Sequence, residues 1–358
     1  MSRESLKDAN RIVVKLGTGV LTDSRKQPDL AQMKQLVAQM AALRKAGKQV
    51  VVVTSGAVGA GMGVLGHEKR PTELAELQAC AAVGQSRLMA TYEKLFGEFK
   101  LAVAQVLLTH DDLQHHDRHL NARNTLVTLL HRGVVPIINE NDAISFTELK
   151  FGDNDKLSAL LSCLLPADLL VILTTVDGVI ENFGKPDARV INVIEKIDSA
   201  LEKEATGTTS ETAVGGMSSK IEAAKIVVRS GIPLVIAPGR NKNALAEILA
   251  GQDTGTLFVP RPTKLKGRKK WIAFFHSPHG TIYVDDGCKN ALREKGTSLL
   301  PPGISKVEGH FSAGEVVRVC DLNGTEFARG ISFFHSDALK THDLPRTEVI
   351  HRDNLVIL

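Results

Sequence analysis

Short amide and carboxylate side chains crowd two places in this chain: INEND at 138–142, directly after the apolar run 134–137, and GDND at 152–155, directly before the helical run 157–165. In open α/β sheets, ligands bind beyond the carboxyl ends of the strands, so clusters of this kind predict a polar small-molecule site. Asn and Asp also serve loops and helix N-caps, and Asp153, Asn154 or Asp155 alone would suffice to cap the helix beginning near Leu157. Three further strings weigh against a purely structural use.

The first is VVKLGTG at 13–19, where a buried β run ends in Lys15 and then Gly17, Thr18 and Gly19. An ammonium beside a turn of small residues lets backbone N–H groups approach a phosphate. The second is VGGMSSK at 214–220, in which Val214, Gly215 and Gly216 open an amphipathic helix carrying Met217, Ser218, Ser219 and Lys220 in its first turn. Its N-terminal N–H groups and Lys220 form an anion site. The third is TSGAVGAG at 54–61, whose surplus of glycine after a very apolar strand predicts close ligand contact, with the Ser55 hydroxyl at the strand tip. Neither GxxxxGK[ST] nor GxGxxG with a following acid is present, so a nucleotide phosphate is implied without the usual fingerprints.

These residues need a scaffold that brings strand ends together. Alternating strand and helix patterns fill residues 11 to about 260. Asp29 caps a predicted helix through Ala46, with Gly47 as its stop and a strand at 49–54. Further segments follow at 74–96 (helix), 102–108 (strand), 121–132 (helix), 134–139 (strand) and 168–173 (strand). Strands separated by helices imply parallel crossovers and a three-layer α/β/α sandwich.

The strings VVKLGTG, VVVTSGAVGAG, AAVGQSRLM, LNARNTL, PIINENDA, GDNDKLSALL and GGMSSK, with SLLPPGI and HRDN near the C-terminus, closely resemble the amino acid kinase family. Within it they resemble the branch that phosphorylates the γ-carboxylate of L-glutamate with ATP, at the start of proline biosynthesis. The resemblance implies that Lys15 and Lys220 contact the ATP phosphates and that Asp155 orients both lysines. It implies a glutamate site at Ser55, Asp142 and Asn154, with Gly56 and Asn139 lining the same cavity. Asp142 would pair the substrate ammonium, and Asn154 would bond its carboxylate through the amide. The nucleotide would lie along Val214, Gly215, Gly216, Met217, Ser218, Ser219 and Lys220, and at Thr174 and Thr175. Family members usually carry an acidic residue where this chain has Thr175, which leaves Asp177 as the nearest replacement. Mg²⁺ would come bound to ATP, no residue is assigned to a metal, and proline inhibition and homo-oligomers are implied. Other carboxylate kinases, acting on acetylglutamate or aspartate, are the enzymatic alternative.

After Pro260 the pattern changes. Residues 261–270 carry six Lys/Arg and read as an exposed basic linker. Short alternating runs at 281–284 and 315–319, with Asp286-Gly287 and Asn323-Gly324 turns, make the rest β-rich. The expected domains are therefore 1–260, the linker 261–270, and 271–358. The last resembles a PUA domain, a small β-barrel-like fold often attached to RNA-modifying enzymes, and RNA binding is the rival function. Residues 271–358 hold nine Lys/Arg against eleven Asp/Glu. A module gripping a phosphate backbone should itself be basic, so RNA is not favoured.

At 358 residues with 43% hydrophobic content, the chain suggests two globular domains. The opening MSRESLKDANR has no signal-like apolar stretch and no later run approaches a membrane span, so a cytoplasmic enzyme is expected. Cys80, Cys163, Cys288 and Cys320 are far apart and read as buried thiols. His115, His116 and His119 read as an exposed helix start without a metal. One member each of Phe274/Phe275 and Phe333/Phe334 should enter the small core.

Overall fold

A computed structural model describes residues 2–23, 28–144, 154–206, 216–260, 269, 272–273, 278–341 and 347–358. The chain divides into two compact units, Met1–Thr263 and Lys264–Leu358. The basic stretch 261–270, apart from residue 269, lies outside the described residues, as do Phe274 and Phe275.

The first unit is a three-layer α/β/α sandwich. Its strands are β1 (Arg11–Leu16), β2 (Gln49–Val53), β3 (Val103–Leu108), β4 (Val135–Glu140), β5 (Leu169–Thr174), a short hairpin β6 (Ile180–Glu181) and β7 (Arg189–Val190), then β8 (Val193–Ile194), β9 (Leu234–Pro238) and β10 (Thr256–Phe258). The eight-stranded sheet runs β3-β4-β2-β1-β5-β9-β10-β8. Every pairing in it is parallel except β10 with β9. Near-continuous apolar strands such as Val50–Val53 suit a sheet covered on both faces.

Helices α1 (Thr18–Leu21), α2 (Leu30–Lys45), α3 (Ala57–Met62), α4 (Leu74–Gly97), α5 (His110–Gln114), α6 (His116–His131), α7 (Asn154–Leu164), α8 (Ser199–Thr206), α9 (Met217–Arg229) and α10 (Ala244–Leu249) connect the strands. The Asp29 carboxylate accepts from Gln32 N at 3.0 Å and starts α2, as its sequence position predicts. On one face Ile12, Val14, Leu16, Val50 and Val52 pack with Met33, Val37 and Met40 of α2 and Leu88, Tyr92 and Phe96 of α4. Side chains alternate along a strand, so Val13 and Lys15 point to the other face, where α7 crosses β1, β5, β2 and β4. Helix α6 begins five residues before the expected 121, because His115 rather than a later residue ends the extended backbone.

Near the start of this unit Arg3 is a buried cation. Its guanidinium donates to the carbonyls of Gln252 (2.9 Å), Thr254 (3.2 Å), Asn192 (2.8 Å) and Gly255 (2.5 Å), and pairs with Asp253.

The second unit holds a five-stranded sheet of β11 (Gly280–Val284), β12 (Ile304–Gly309), β13 (Val316–Cys320), β14 (Glu326–Ile331) and β15 (Leu355–Ile357), in the order β12-β11-β13-β14-β15. Its own core includes Ile282, Val284, Leu292, Val317, Val319 and Phe327. Phe334 packs against this core and Phe333 is exposed. The Asn323-Gly324 turn is present, with Gly324 at φ 81°. Asp286-Gly287 is not a hairpin turn. Asp285 accepts from Cys288 N at 2.7 Å and caps a short helix there, so the Asx side chain one position earlier decides the backbone. Cys80, Cys163 and Cys320 are buried and Cys288 is half-buried, all as free thiols.

Candidate active site

Lys15 sits at the carboxyl end of β1, between β2 and β5. The chain then turns through Gly17, whose N–H donates to Leu173 O at 3.3 Å. A Cβ on Gly19 would lie 2.8 Å from the Thr175 methyl, so this turn needs small residues to lie against the end of β5. The lysine-glycine turn and the Thr174-Thr175 strand end are thereby neighbours. Thr175 and Asp177 are both exposed there.

Helix α7 delivers Asn154 and Asp155 in its first turn, both buried against the sheet. Asp155 is 0% exposed, with Lys15 Nζ 2.6 Å from one carboxylate oxygen and Lys220 Nζ 2.9 Å from the other. Ser219 donates its hydroxyl to the Asp155 oxygen that also meets Lys220, at 3.0 Å. Lys220 and Ser219 stand in the first turn of α9, preceded by Gly216 with extended backbone. Two buried ammonium groups thus share one carboxylate at a helix N-terminus. Two buried cations beside a helix N-terminus favour an incoming anion. Val214 and Gly215 fall outside the described residues.

Beside this triad runs a line of amides. The Asn154 amide nitrogen donates to Thr54 O (2.6 Å), to the Ser55 hydroxyl (3.3 Å) and to Asn139 Oδ1 (2.8 Å). Asn139 donates to Gln85 Oε1 at 2.9 Å, and Gln85 donates to Gln105 Oε1 at 3.2 Å. The Thr54 and Tyr92 hydroxyls lie 2.7 Å apart beneath them. Ser55, Asn139 and Asn154, predicted as neighbours, do meet. The Asn154 amide nitrogen, expected to meet a substrate carboxylate, here faces the Thr54 carbonyl and Asn139 Oδ1. Gln85, Gln105 and Tyr92 received no role from the sequence. The string AAVGQSRLM contained the only signal, in Gln85.

Asp142 follows β4 and lines a cavity of about 230 Å³ with Gln85, Gln105, Glu140 and Asn141. Burial pushes its pKa up to about 6, opposed by the Arg70 cation. Gly56 adopts φ 99°, a left-handed conformation that admits glycine, and so lets the chain turn from Ser55 into α3. It lines a second cavity of about 210 Å³ with Ser55, Leu21 and Arg87. The glycine surplus has a partly different cause from the one expected. A Cβ on Gly61 would overlap the Cys80 carbonyl and one on Gly84 the Ala57 carbonyl, so these two glycines let α3 and α4 touch backbone to backbone. His119 is buried, its Nδ1 3.2 Å from Leu113 O, which makes the histidine-rich start of α6 partly a packing feature.

The amino acid kinase family model matches residues 10–238 and the PUA domain model residues 280–351. A glutamate 5-kinase of Geobacter sulfurreducens is 47% identical, with 99% of each chain covered. Another, from Caldanaerobacter subterraneus subsp. tengcongensis, is 45% identical over 97% of this chain and 98% of its own. Among solved structures, carbamate kinase from Giardia lamblia bound to AMP-PNP superposes with a TM-score of 0.53 at 20% identity, covering 71% of this chain and all of that one. This last likeness bears on the fold.

Proposed function

Because the chain belongs to the amino acid kinase family, we infer that it catalyses ATP-dependent phosphorylation of the γ-carboxylate of L-glutamate, giving L-glutamyl 5-phosphate for proline biosynthesis. The observation that carries the mechanism is Asp155 held between Lys15 and Lys220. A γ-carboxylate oxygen attacks the γ-phosphorus, the bond to the β-phosphate oxygen breaks, and ADP departs. Charge accumulates on the three equatorial oxygens, so the protein must position reactants and neutralise charge. Lys15 from β1 and Lys220 from α9 supply that neutralisation, and Asp155 fixes where both ammonium groups stand. The carboxylate is already ionised near neutral pH, so no general base is needed.

Ser55, Gly56, Asn139, Asp142 and Asn154 are the glutamate side of this reading, supported by the contacts of Asn154 with Ser55 after β2 and with Asn139 near the end of β4. Thr174, Thr175 and residues 214–220 are the nucleotide side, supported by the anion-binding turn and helix start. Mg²⁺ would arrive with ATP and would supply charge neutralisation on the phosphates, with none of this chain's residues assigned to hold it. Kinship also supports proline as feedback inhibitor, homo-oligomeric assembly, a cytoplasmic location and domains at 1–260 and 271–358. No described helix is long and apolar enough to cross a membrane.

Trapping the acyl phosphate with hydroxylamine tests the reading directly. Hydroxamate should form with L-glutamate and MgATP, and far more slowly with N-acetylglutamate or aspartate. Equal rates with all three would refute the substrate assignment.

A further inference from the structure

Two cavities flank the start of α3, and they differ in charge. The one beside Asp142 is lined by Glu140 and Asp142 and by no Lys or Arg, which suits an ammonium. The other, of about 210 Å³, lies between α2, α4 and the turn before α3, and no acidic residue lines it. Leu21, Met33 and Leu88 form its buried apolar wall. Arg87, exposed on α4, adds a cation that has no ion-pair partner among the described residues. Three hydroxyls line the same space, and two of their protons are already committed. Thr22 donates to Thr18 O at 3.0 Å and Thr91 to Arg87 O at 2.9 Å, each to the backbone four residues earlier. Ser55 accepts from the Asn154 amide at 3.3 Å and keeps its own proton to give. The available side-chain donors are thus one guanidinium and one hydroxyl, set against an apolar wall. A carboxylate accepts from both, and a short branched hydrocarbon fills the rest. Apolar cavities of roughly 150 Å³ hold benzene, so a space of this size takes such an acid.

We propose that this second cavity is an effector site for a short branched aliphatic carboxylate, whose binding draws the Ser55 hydroxyl proton away from the glutamate side. With no carboxylate in the lining to meet an ammonium, an amino acid is a poor occupant, and the ligand differs in class from the substrate. A hydroxyl has one proton, so an occupant that accepts from Ser55 withdraws that donor from glutamate without touching the ammonium or the phosphates. Binding stands on the cavity alone, and the effect on glutamate rests on the kinase reading above.

The test titrates the full-length protein by ligand-observed NMR, at constant ionic strength, with isovalerate, with the uncharged isovaleramide, and with valine, which adds an ammonium to the same carbon skeleton. Each titration is repeated with Ala60→Leu, which fills the cavity, and with Arg87→Gln, which removes the cation from an exposed position. Isovalerate binding should be lost in Ala60→Leu and weaken about tenfold or more in Arg87→Gln, the scale of one hydrogen bond to a charged group. Isovaleramide and valine should show little binding that Ala60→Leu removes. In hydroxamate assays isovalerate should raise the glutamate KM about fivefold and then reach a plateau, the mark of two linked sites, with kcat and the KM for MgATP within about twofold. Both variants should keep the parent's glutamate KM and lose this response. No isovalerate binding to the parent, binding that survives both substitutions, or cavity binding of valine or isovaleramide equal to that of isovalerate overturns the proposal. So does binding that leaves the glutamate KM unchanged, or a KM that climbs without a plateau, which would put the ligand in the glutamate site itself. A parent enzyme forming no hydroxamate from glutamate would refute the kinase reading instead, and the NMR titrations would still decide the site.

Discussion

Replacing Asp155 by Asn removes one negative charge at nearly constant volume and leaves Lys15 and Lys220 without their common counter-ion. The carboxylate is fully buried, with ammonium nitrogens at 2.6 and 2.9 Å. Removing one partner from such a buried arrangement costs about 3–5 kcal/mol. With each kcal/mol worth roughly 2–4 °C in a unit of this size, the melting midpoint should fall by roughly 6–20 °C. Nucleotide brings negative oxygens to the same place, so MgATP should raise the variant's midpoint by more than it raises the parent's. Turnover should drop by about two to three decades, because the cations no longer stand where transition-state charge develops. Hydroxamate formation at saturating substrates and melting curves with and without MgATP measure both effects. A variant with turnover within about threefold of the parent and an unshifted midpoint would refute the role given to Asp155.

Lys15→Ala and Lys220→Ala should each lower kcat by about two to three decades; near-normal turnover in either would remove that lysine from the mechanism. Burial raises the Asp142 pKa to about 6, so the carboxyl gains a proton, and loses the charge that meets the ammonium, as pH falls through that value. The kcat/KM for glutamate should then decline about tenfold per pH unit below it, and Asp142→Asn should raise the glutamate KM, leave the ATP KM alone and abolish that limb of the profile. Gly84→Ala should destabilise the fold by about 3 kcal/mol or more, because the new methyl overlaps the Ala57 carbonyl; an unchanged melting curve would show that α3 and α4 can separate freely.

Local chemistry made much of this molecule readable. Asp29 announced α2, Gly47 its stop, and the apolar runs β1, β2 and β4, because caps, left-handed stops and buried strands depend on a few neighbouring residues. Lys15 and Lys220 stood out through their strand-end and helix-start positions, whereas the part given to Asp155 came from the family resemblance, since its position alone also suits a helix cap. The direction of the Asn154 amide was not recognisable, since it depends on Thr54, a hundred residues away in sequence. Gly61 looked like a ligand contact because glycine itself does not reveal whether a ligand or a helix needs the space. Asp285 outranked the Asp286-Gly287 turn for a similar reason, the competition between two local signals being settled by which side chain reaches an N–H first.

The Arg3 clasp sets a timetable for synthesis. Its carbonyl partners at 252, 254 and 255 are translated some 250 residues after the arginine itself. At about 5–20 residues per second, that is a delay of roughly 13–50 s. During it β1, the strand at the middle of the sheet, can already pair with β2, while the guanidinium waits in water. The nascent kinase unit should therefore gain protease resistance in two steps, the second when residues 252–255 clear the ribosome. Arg3→Ala should abolish the second step and leave the first in place.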